Sequence, residues 1–429
     1  MSEKSGAGWG HRHTVLMLSF AAVFIGYTDR VNMSVASVTM RDDLHWTQAT
    51  KGFVLSAFFI GYMVSLLPSG WLATRYGGKR VLALAVLGWS VFTIATPAAA
   101  HASLSTLVAM RIGLGLCEGS LFPACYEILG RWIPAHERAR ATIRLTSGIP
   151  MGQVVGLAAC GWLVGQYGWP TVFYGFGALG LIWAVLWVKM VRSDPASHPD
   201  LSPEERVIYA NPAFGVRYNC LSGLAWRAQL SHSAVWAAIF ALFCGNWALY
   251  FLLSWLPSYF RDAHALTLSN AGLFAAGPWA SYLLFGNAAA SLADAAIGRG
   301  RDVTVIRKLV LCPAFIVAAA CLYGSQAAAT SEAAMGVLCA ATGALGVASS
   351  AYSPNFLELV PGRAALFVAF ANTLATIPGI AGVAVAGWTV DRTGSYATAF
   401  VTTALVMASG AVVYLRYGSG RAIRLSNGS

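Results

Sequence analysis

Val15-Leu-Met-Leu-Ser-Phe-Ala-Ala-Val-Phe-Ile-Gly-Tyr-Thr-Asp29-Arg30-Val-Asn-Met-Ser-Val-Ala-Ser-Val38 is an apolar run broken once by charge, by an acid and a base side by side. As a helix it is about 36 Å long, enough to cross the roughly 30 Å hydrocarbon core of a bilayer. Lys4, His11 and Arg12 precede it, as a basic segment precedes a signal peptide. The run nevertheless continues through Asp29 and Arg30 with no small-residue cleavage site, so it reads as a retained helix. Ionised side chains at that depth are costly against lipid. Asp29 and Arg30 must therefore face protein, and the helix belongs in a bundle.

Eleven further runs follow it: Phe53–Thr74, Val81–Ala100, Leu104–Gly130, Ala141–Val164, Val172–Met190, Ala234–Pro257, Ala271–Leu292, Leu309–Ser325, Met335–Ser353, Ala365–Val390 and Ala397–Leu415. Composition agrees. Hydrophobic residues make up 57% of the 429 and charged residues 10%, against about 25% charged in soluble domains. So few charges cannot cover a water-facing surface, and the outside must largely face lipid. The fold class is all-α integral membrane, with twelve transmembrane helices.

Lys and Arg set the orientation. With the N-terminus in the cytoplasm, 22 of them fall on the cytoplasmic side and four on the other: Arg41, Lys51, Arg261 and Arg392. That bias follows the positive-inside rule and places both termini in the cytoplasm. It also accounts for the net charge of +11 without nucleic acid, because the basic residues are spread over loops. Residues 193–233 are polar and contain Pro195, Pro199, Pro203 and Pro212. They divide the chain into a six-helix bundle (1–192), a cytoplasmic central loop (193–233) and a second six-helix bundle (234–429). Ser202-Pro-Glu-Glu205 reads as a helix start within the loop, with Ser202 as N-cap and Glu205 at the capping-box position. No phosphate loop of the form G-x-x-x-x-G-K-[ST] occurs. The eight His are scattered, and the Cys show no C-x-x-C or metal-ligand spacing. The sequence thus points to no catalytic cluster, metal site or cofactor.

Four ionisable residues lie deep in the runs: Asp29, Arg30, Arg111 and Glu118. Arg111 and Glu118 are two turns apart, share a helix face and stand roughly 10 Å apart along it. Their partners must come from another helix. Depth suggests Asp29 opposite Arg111 and Arg30 reaching to Glu118. Fixed ion pairs that only lock helices would be a poor use of such costly groups, since packed apolar residues avoid the desolvation. Tyr27 and Tyr62 are further candidates for hydrogen bonding a ligand. Gly148, Gly152 and Gly156 repeat at a spacing that favours close helix packing. Glu137, Asp294 and Glu358, near cytoplasmic span ends, read as charge locks of a gate.

A family resemblance emerges from the motifs taken in order. Gly70-Trp-Leu-Ala-Thr-Arg-Tyr-Gly-Gly-Lys-Arg80 resembles the loop motif of the major facilitator superfamily, with Thr74 where an Asp is usual. Tyr27–Ala36, Arg111–Ala124, Arg131-Trp-Ile-Pro, Glu137-Arg-Ala-Arg140, Trp255–Phe260 and Asn372–Gly379 are similar to the anion:cation symporters. That family includes sialin, vesicular glutamate transporters and bacterial sugar-acid permeases. The resemblance implies a monomeric carrier of a small anion, such as a sugar acid, in the cell's inner (plasma) membrane. The anion would move with H+ or Na+. Arg30, Tyr27, Tyr62 and Asn372 would bind it. Asp29, Glu118 and Arg111 would couple the cation. The vesicular glutamate branch has a histidine at the place of Leu55 and an arginine at that of Gly245, which argues against glutamate. A proton-driven exporter and a phosphate carrier are the alternatives. Gly148-Ile-Pro-Met-Gly152 departs from the Gly-Pro pair of exporters.

Overall fold

The structure, a computed structural model, describes residues 10–134, 136–195, 201, 203–210, 230–360 and 364–423. Ser202, Cys220, Arg217, Arg227 and Arg363 lie outside them, as do both chain ends. The described residues are predominantly helical, with no strand among them. The first half contains α1 (His11–Asp43), α2 (Gln48–Tyr76), α3 (Gly78–Ala102), α4 (Leu104–Trp132), α5 (Arg138–Tyr167) and α6 (Pro170–Met190). The short α7 (Pro203–Ala210) follows, as the sequence suggested. The second half contains α8 (Ser233–His264), α9 (Leu268–Gly298), α10 (Val303–Gly324), α11 (Ser331–Leu359), α12 (Phe367–Thr393) and α13 (Ala397–Tyr417).

Eleven of these helices are long and apolar enough to cross a membrane by composition alone; α9 is not among them. It is built largely of Ala, Gly, Ser and Asn. Small residues cost it hydropathy and allow close packing instead. A Cβ placed on Gly272 would stand 2.6 Å from the Leu157 carbonyl oxygen of α5. A Cβ on Gly346 of α11 would stand 2.3 Å from the Tyr282 carbonyl oxygen of α9. With α9 there are twelve crossings, arranged as two six-helix bundles.

Three helices are interrupted. α4 breaks at Gly119–Ser120, directly after Glu118. α5 breaks at Ser147, and α12 at Ala375–Thr376. The α2–α3 turn needs Gly77, whose φ of +84° lies in the left-handed region. The next N–H, of Gly78, donates to the Glu127 carboxylate at 2.5 Å, which also accepts from Arg131. Asp302 caps α10 by accepting from the Val305 N–H. That bond, together with Arg421, holds its carboxyl below the usual range. Glu205, whose capping-box partner Ser202 lies outside the described residues, turns toward the first half. It is buried and accepts from the Arg12 N–H at the start of α1, 3.1 Å away.

The glycine repeat in α5 is a packing seam against α1. A Cβ on Gly152 would lie 2.5 Å from the Phe24 carbonyl oxygen, and one on Gly156 would lie 2.6 Å from Val31 Cγ2. Two more seams join the halves. Gly161 meets Gly272, and Gly52 meets Gly387. Both lie toward the face opposite the termini, and cross-half hydrogen bonds gather there. Asp262 of α8 accepts from Arg41 (3.0 Å) and Gln48 (3.1 Å) of the first half, and from Tyr396 (2.8 Å) of its own half. Arg261 donates to Asp42 at 3.4 Å, and the Gln48 N–H to Asp391 at 3.1 Å. That face is closed. Near the other face, the locks expected at Glu137 and Glu358 close within single halves, with Arg12 (3.5 Å) and Arg307 (2.6 Å). Asp294 is exposed.

The α1–α5 seam makes a prediction. Gly152→Leu places side-chain atoms against backbone that has no room to yield, and overpacking costs about 1–3 kcal/mol even where neighbours can shift. Purified Gly152→Leu should show a clearly lower melting temperature and less monodisperse protein than wild type. Gly130→Ala, where nothing lies within 4 Å of the added Cβ, should match wild type.

Candidate functional site

The adjacent charges of α1 point to different partners. Arg30 reaches α4, where its Nε donates to Glu118 Oε2 at 2.6 Å. Both side chains are buried. The guanidinium carbon also lies 4.4 Å from the Tyr27 ring centroid, 4.6 Å from Tyr62 and 5.2 Å from Phe58. Three aromatic rings thus surround one cation, a favourable arrangement where water is excluded. Tyr62 and Phe58 are one turn apart on α2 and stack at 5.7 Å.

Asp29 turns toward α3. It accepts from Thr93 Oγ1 at 2.6 Å and from Asn32 Nδ2 at 2.7 Å. Asn32 Oδ1 in turn accepts from the Cys160 thiol of α5 at 3.0 Å. The expected Asp29–Arg111 ion pair is not formed among the described residues. Sequence depth suggested the two at one level. It could not show that Thr93 and Asn32 would take up the carboxylate.

Three buried polar atoms of the cluster have no hydrogen-bond partner: Arg30 Nη2, Arg111 Nε and Glu118 Oε1. Buried polar groups are nearly always satisfied, so an unsatisfied set on neighbouring side chains needs an explanation. Arg30 and Arg111 also line a small cavity with Ser34, Leu55, Phe58, Phe59, Leu253 and Ser254. Its volume of about 20 Å³ holds roughly one water. Both halves contribute to it, at the level of the charges. A larger apolar cavity of about 550 Å³ lies between α9, α10 and α11. It contains none of the cluster residues.

Of the candidates read from sequence, Tyr27, Asp29, Arg30, Tyr62, Arg111 and Glu118 come together. Asn372 does not join their bonding. Its amide donates to the Val368 carbonyl in its own helix at 2.9 Å. The second half instead sends Tyr250, whose ring lies 4.5 Å from Phe59. Tyr250 and the α12 break are linked through Asn246, which donates to the Ala375 carbonyl at 2.8 Å and to the Tyr250 hydroxyl at 3.4 Å. Leu55 lines the cavity, and Gly245 lies against Tyr352. The sequence reading missed Lys51. It was placed in an outer loop, whereas it is fully buried in the first turn of α2. Its neighbours Gly52-Phe-Val-Leu55 were the available signal.

Two bundles enclosing charged residues at mid-membrane define a transporter. The profile of the Major Facilitator Superfamily matches residues 18–383. The chain is 35% identical to "Sodium-dependent phosphate transport protein 1, chloroplastic" of Arabidopsis thaliana, over 96% of this chain and 80% of that one. It is 34% identical to "Ascorbate transporter, chloroplastic" of the same plant (96% and 76%) and 30% identical to "Sialin" of Ovis aries (95% and 89%). A bacterial homologue of the human lysosomal transporter Spinster, solved inward-facing and occupied, shares the fold. Its TM-score is 0.77 at 16% identity, over 96% of this chain and 97% of that one. The chain belongs to the major facilitator superfamily and, within it, to the anion:cation symporter family. It is a multi-pass membrane transporter and not an enzyme.

The buried pair can be tested by stability. Glu118→Ala leaves Arg30 charged and without its carboxylate, a loss of about 3–5 kcal/mol for a buried pair. Arg30→Leu/Glu118→Leu removes both charges. Thermal unfolding in detergent should rank Glu118→Ala well below wild type and the double variant above Glu118→Ala. A Glu118→Ala melting temperature equal to that of wild type would mean the pair is not desolvated.

Proposed function

We propose that this chain carries a small organic anion bearing a carboxylate, such as a sugar acid, by proton symport with alternating access. One observation supports it above the others: two buried guanidinium groups and a carboxylate, each with an unused polar atom, grouped beside a cavity between the halves. A guanidinium offers a planar fork to a carboxylate and stays charged at any working pH. In this state Glu118 occupies part of the Arg30 fork. An incoming anion competes with Glu118 for it. A protonated Glu118 has no charge to offer Arg30 and gives way. Anion and proton therefore bind together, and loss of the proton re-forms the pair in the empty carrier. Tyr27 and Tyr62 orient Arg30 and offer hydroxyls to the anion. Arg111 supplies the second positive charge, and Asp29 is a further carboxylate for coupling. Asn372 would join only in a state where its amide leaves Val368.

The cavity of about 20 Å³ is too small for a sugar acid, so loading requires the halves to part. With both termini in the cytoplasm, the closed face is the outer one. Residues 193–233 then link bundles 1–192 and 234–429 within a monomer, in the cell's inner (plasma) membrane. The names of the relatives support anion carriage and leave two readings of the cargo. Ascorbate is an organic anion, and the sodium-dependent phosphate relative is equally similar. That relative favours a second reading, phosphate moved with Na+.

Proteoliposomes decide between them. With radiolabelled sugar acids, ascorbate and phosphate offered in turn, uptake of a sugar acid should rise with an inward proton gradient and collapse with a protonophore. Sodium-dependent phosphate uptake that ignores pH would establish the second reading. Outward-directed gradients in the same vesicles test export.

The roles within the site can be separated. Arg30→Lys keeps charge but loses the fork, and its half-saturation concentration should rise about tenfold, equivalent to about 1.4 kcal/mol. Glu118→Gln should keep anion counterflow and lose concentrative, proton-driven uptake. Wild-type levels of both activities in Glu118→Gln would make Glu118 merely structural.

A further inference from the structure

We propose that Lys51 forms an outer anion site, met before the central one when the face opposite the termini opens. This rests on the anion-carrier reading above. Lys51 Nζ donates to Ser258 Oγ of α8 and lies 4.7 Å from the Trp255 ring centroid. No carboxylate pairs with it among the described residues. The acid one turn beyond Ser258 is Asp262, and it is engaged by Arg41, Gln48 and Tyr396. One hydroxyl and one aromatic face thus hold the fully buried Lys51 side chain.

A lysine buried at that depth, with its nearest acid beyond ion-pair distance and engaged by other groups, is expensive to keep charged. A methionine would fill much the same volume and close the contact without that cost. The charge becomes useful when the contact breaks. α2 and α8 belong to different halves, so opening this face pulls Lys51 away from Ser258 and Trp255 and exposes it to water.

Its depth fits an entry site. Leu55 is one turn from Lys51 on α2, and Ser254 is one turn from Ser258 on α8. Both line the central cavity. The Lys51 layer is therefore the roof of that cavity, about 6 Å above it. Arg111 and Arg30 lie below. An entering anion meets a cation at each successive level. The acids at the rim keep partners within their own halves when the face opens, Asp42 with Arg41 (3.0 Å) and Asp262 with the Tyr396 hydroxyl (2.8 Å). An ammonium is a hydrated point charge without a fork. It attracts a carboxylate and yields it readily to the guanidinium groups beneath.

Amine labelling tests this, because every other Lys (Lys4, Lys79, Lys189 and Lys308) belongs to the terminal face in the proposed orientation. Sealed right-side-out vesicles are treated with membrane-impermeant sulfo-N-hydroxysuccinimide acetate, and Lys51 acetylation is read by mass spectrometry. Asp262→Ala loosens the rim and should label faster than wild type. External gluconate should then slow labelling about fivefold at about four times its Kd for the site. That protection should persist in Asp262→Ala/Arg30→Ala, where the central site is disabled. Protection that disappears with Arg30→Ala means gluconate acts only by closing the gate from the centre, which overturns the proposal. Absence of Lys51 labelling in every variant also overturns it, since the side chain would never face outward. The readout needs no transport, so failure of the carrier reading shows separately, as absent uptake in the flux assays.

Discussion

Arg30 and Glu118 sit 2.6 Å apart with almost no exposure, one on α1 and one on α4. Much of the first half is arranged around keeping that pair dry and in place. α2 lays Phe58 and Tyr62 over the guanidinium, and α1 adds Tyr27 from the turn before. α4 breaks directly after Glu118. A break at membrane depth is tolerable because protein, not lipid, surrounds it. A fixed pair would use all its hydrogen-bonding atoms. Here each partner keeps one unused, and so does Arg111 beside them. That incompleteness is the feature that the proposed binding role accounts for.

Glycine determines how the helices approach. The α1–α5 seam lies inside one half and the Gly161–Gly272 and Gly52–Gly387 contacts lie between halves, all at distances that leave no room for a Cβ. The difference lies in what accompanies them. Within the half, the seam is backed by a buried apolar core. Between the halves, it is backed by ion pairs at a partly exposed rim. Rim pairs of this kind are individually weak. A contact made of shape plus weak, water-accessible charge can open without unfolding either bundle. The closed face thus has the construction that the proposed alternating access requires.

The sequence made the class and much of the plan legible. Charge-poor runs of the right length gave the crossings, including α9, which composition alone undervalues because its small residues serve packing. The clustering of Tyr27, Arg30, Tyr62, Arg111 and Glu118 was legible because intramembrane charge has few acceptable places. Arg30 with Glu118 followed from reach. Asp29 with Arg111 did not, because Thr93, an ordinary hydroxyl on α3, satisfies the carboxylate first. Lys51 escaped because a single Lys near a helix start reads as a solvated loop residue. Only the packing of α8 across it shows that it is buried.

What the sequence by itself determined was therefore everything set by the cost of transferring a residue into lipid: the number of crossings and the need for buried charges to find company. That cost belongs to each residue and is present in the unfolded chain. Which charge meets which, whether Asn372 faces the cluster or its own helix, and which face is closed were decided only in the tertiary structure. Those outcomes depend on helix rotation and on competing hydrogen-bond donors a few ångströms away. Such distances exist only once α1, α2, α3, α4 and α8 have packed together.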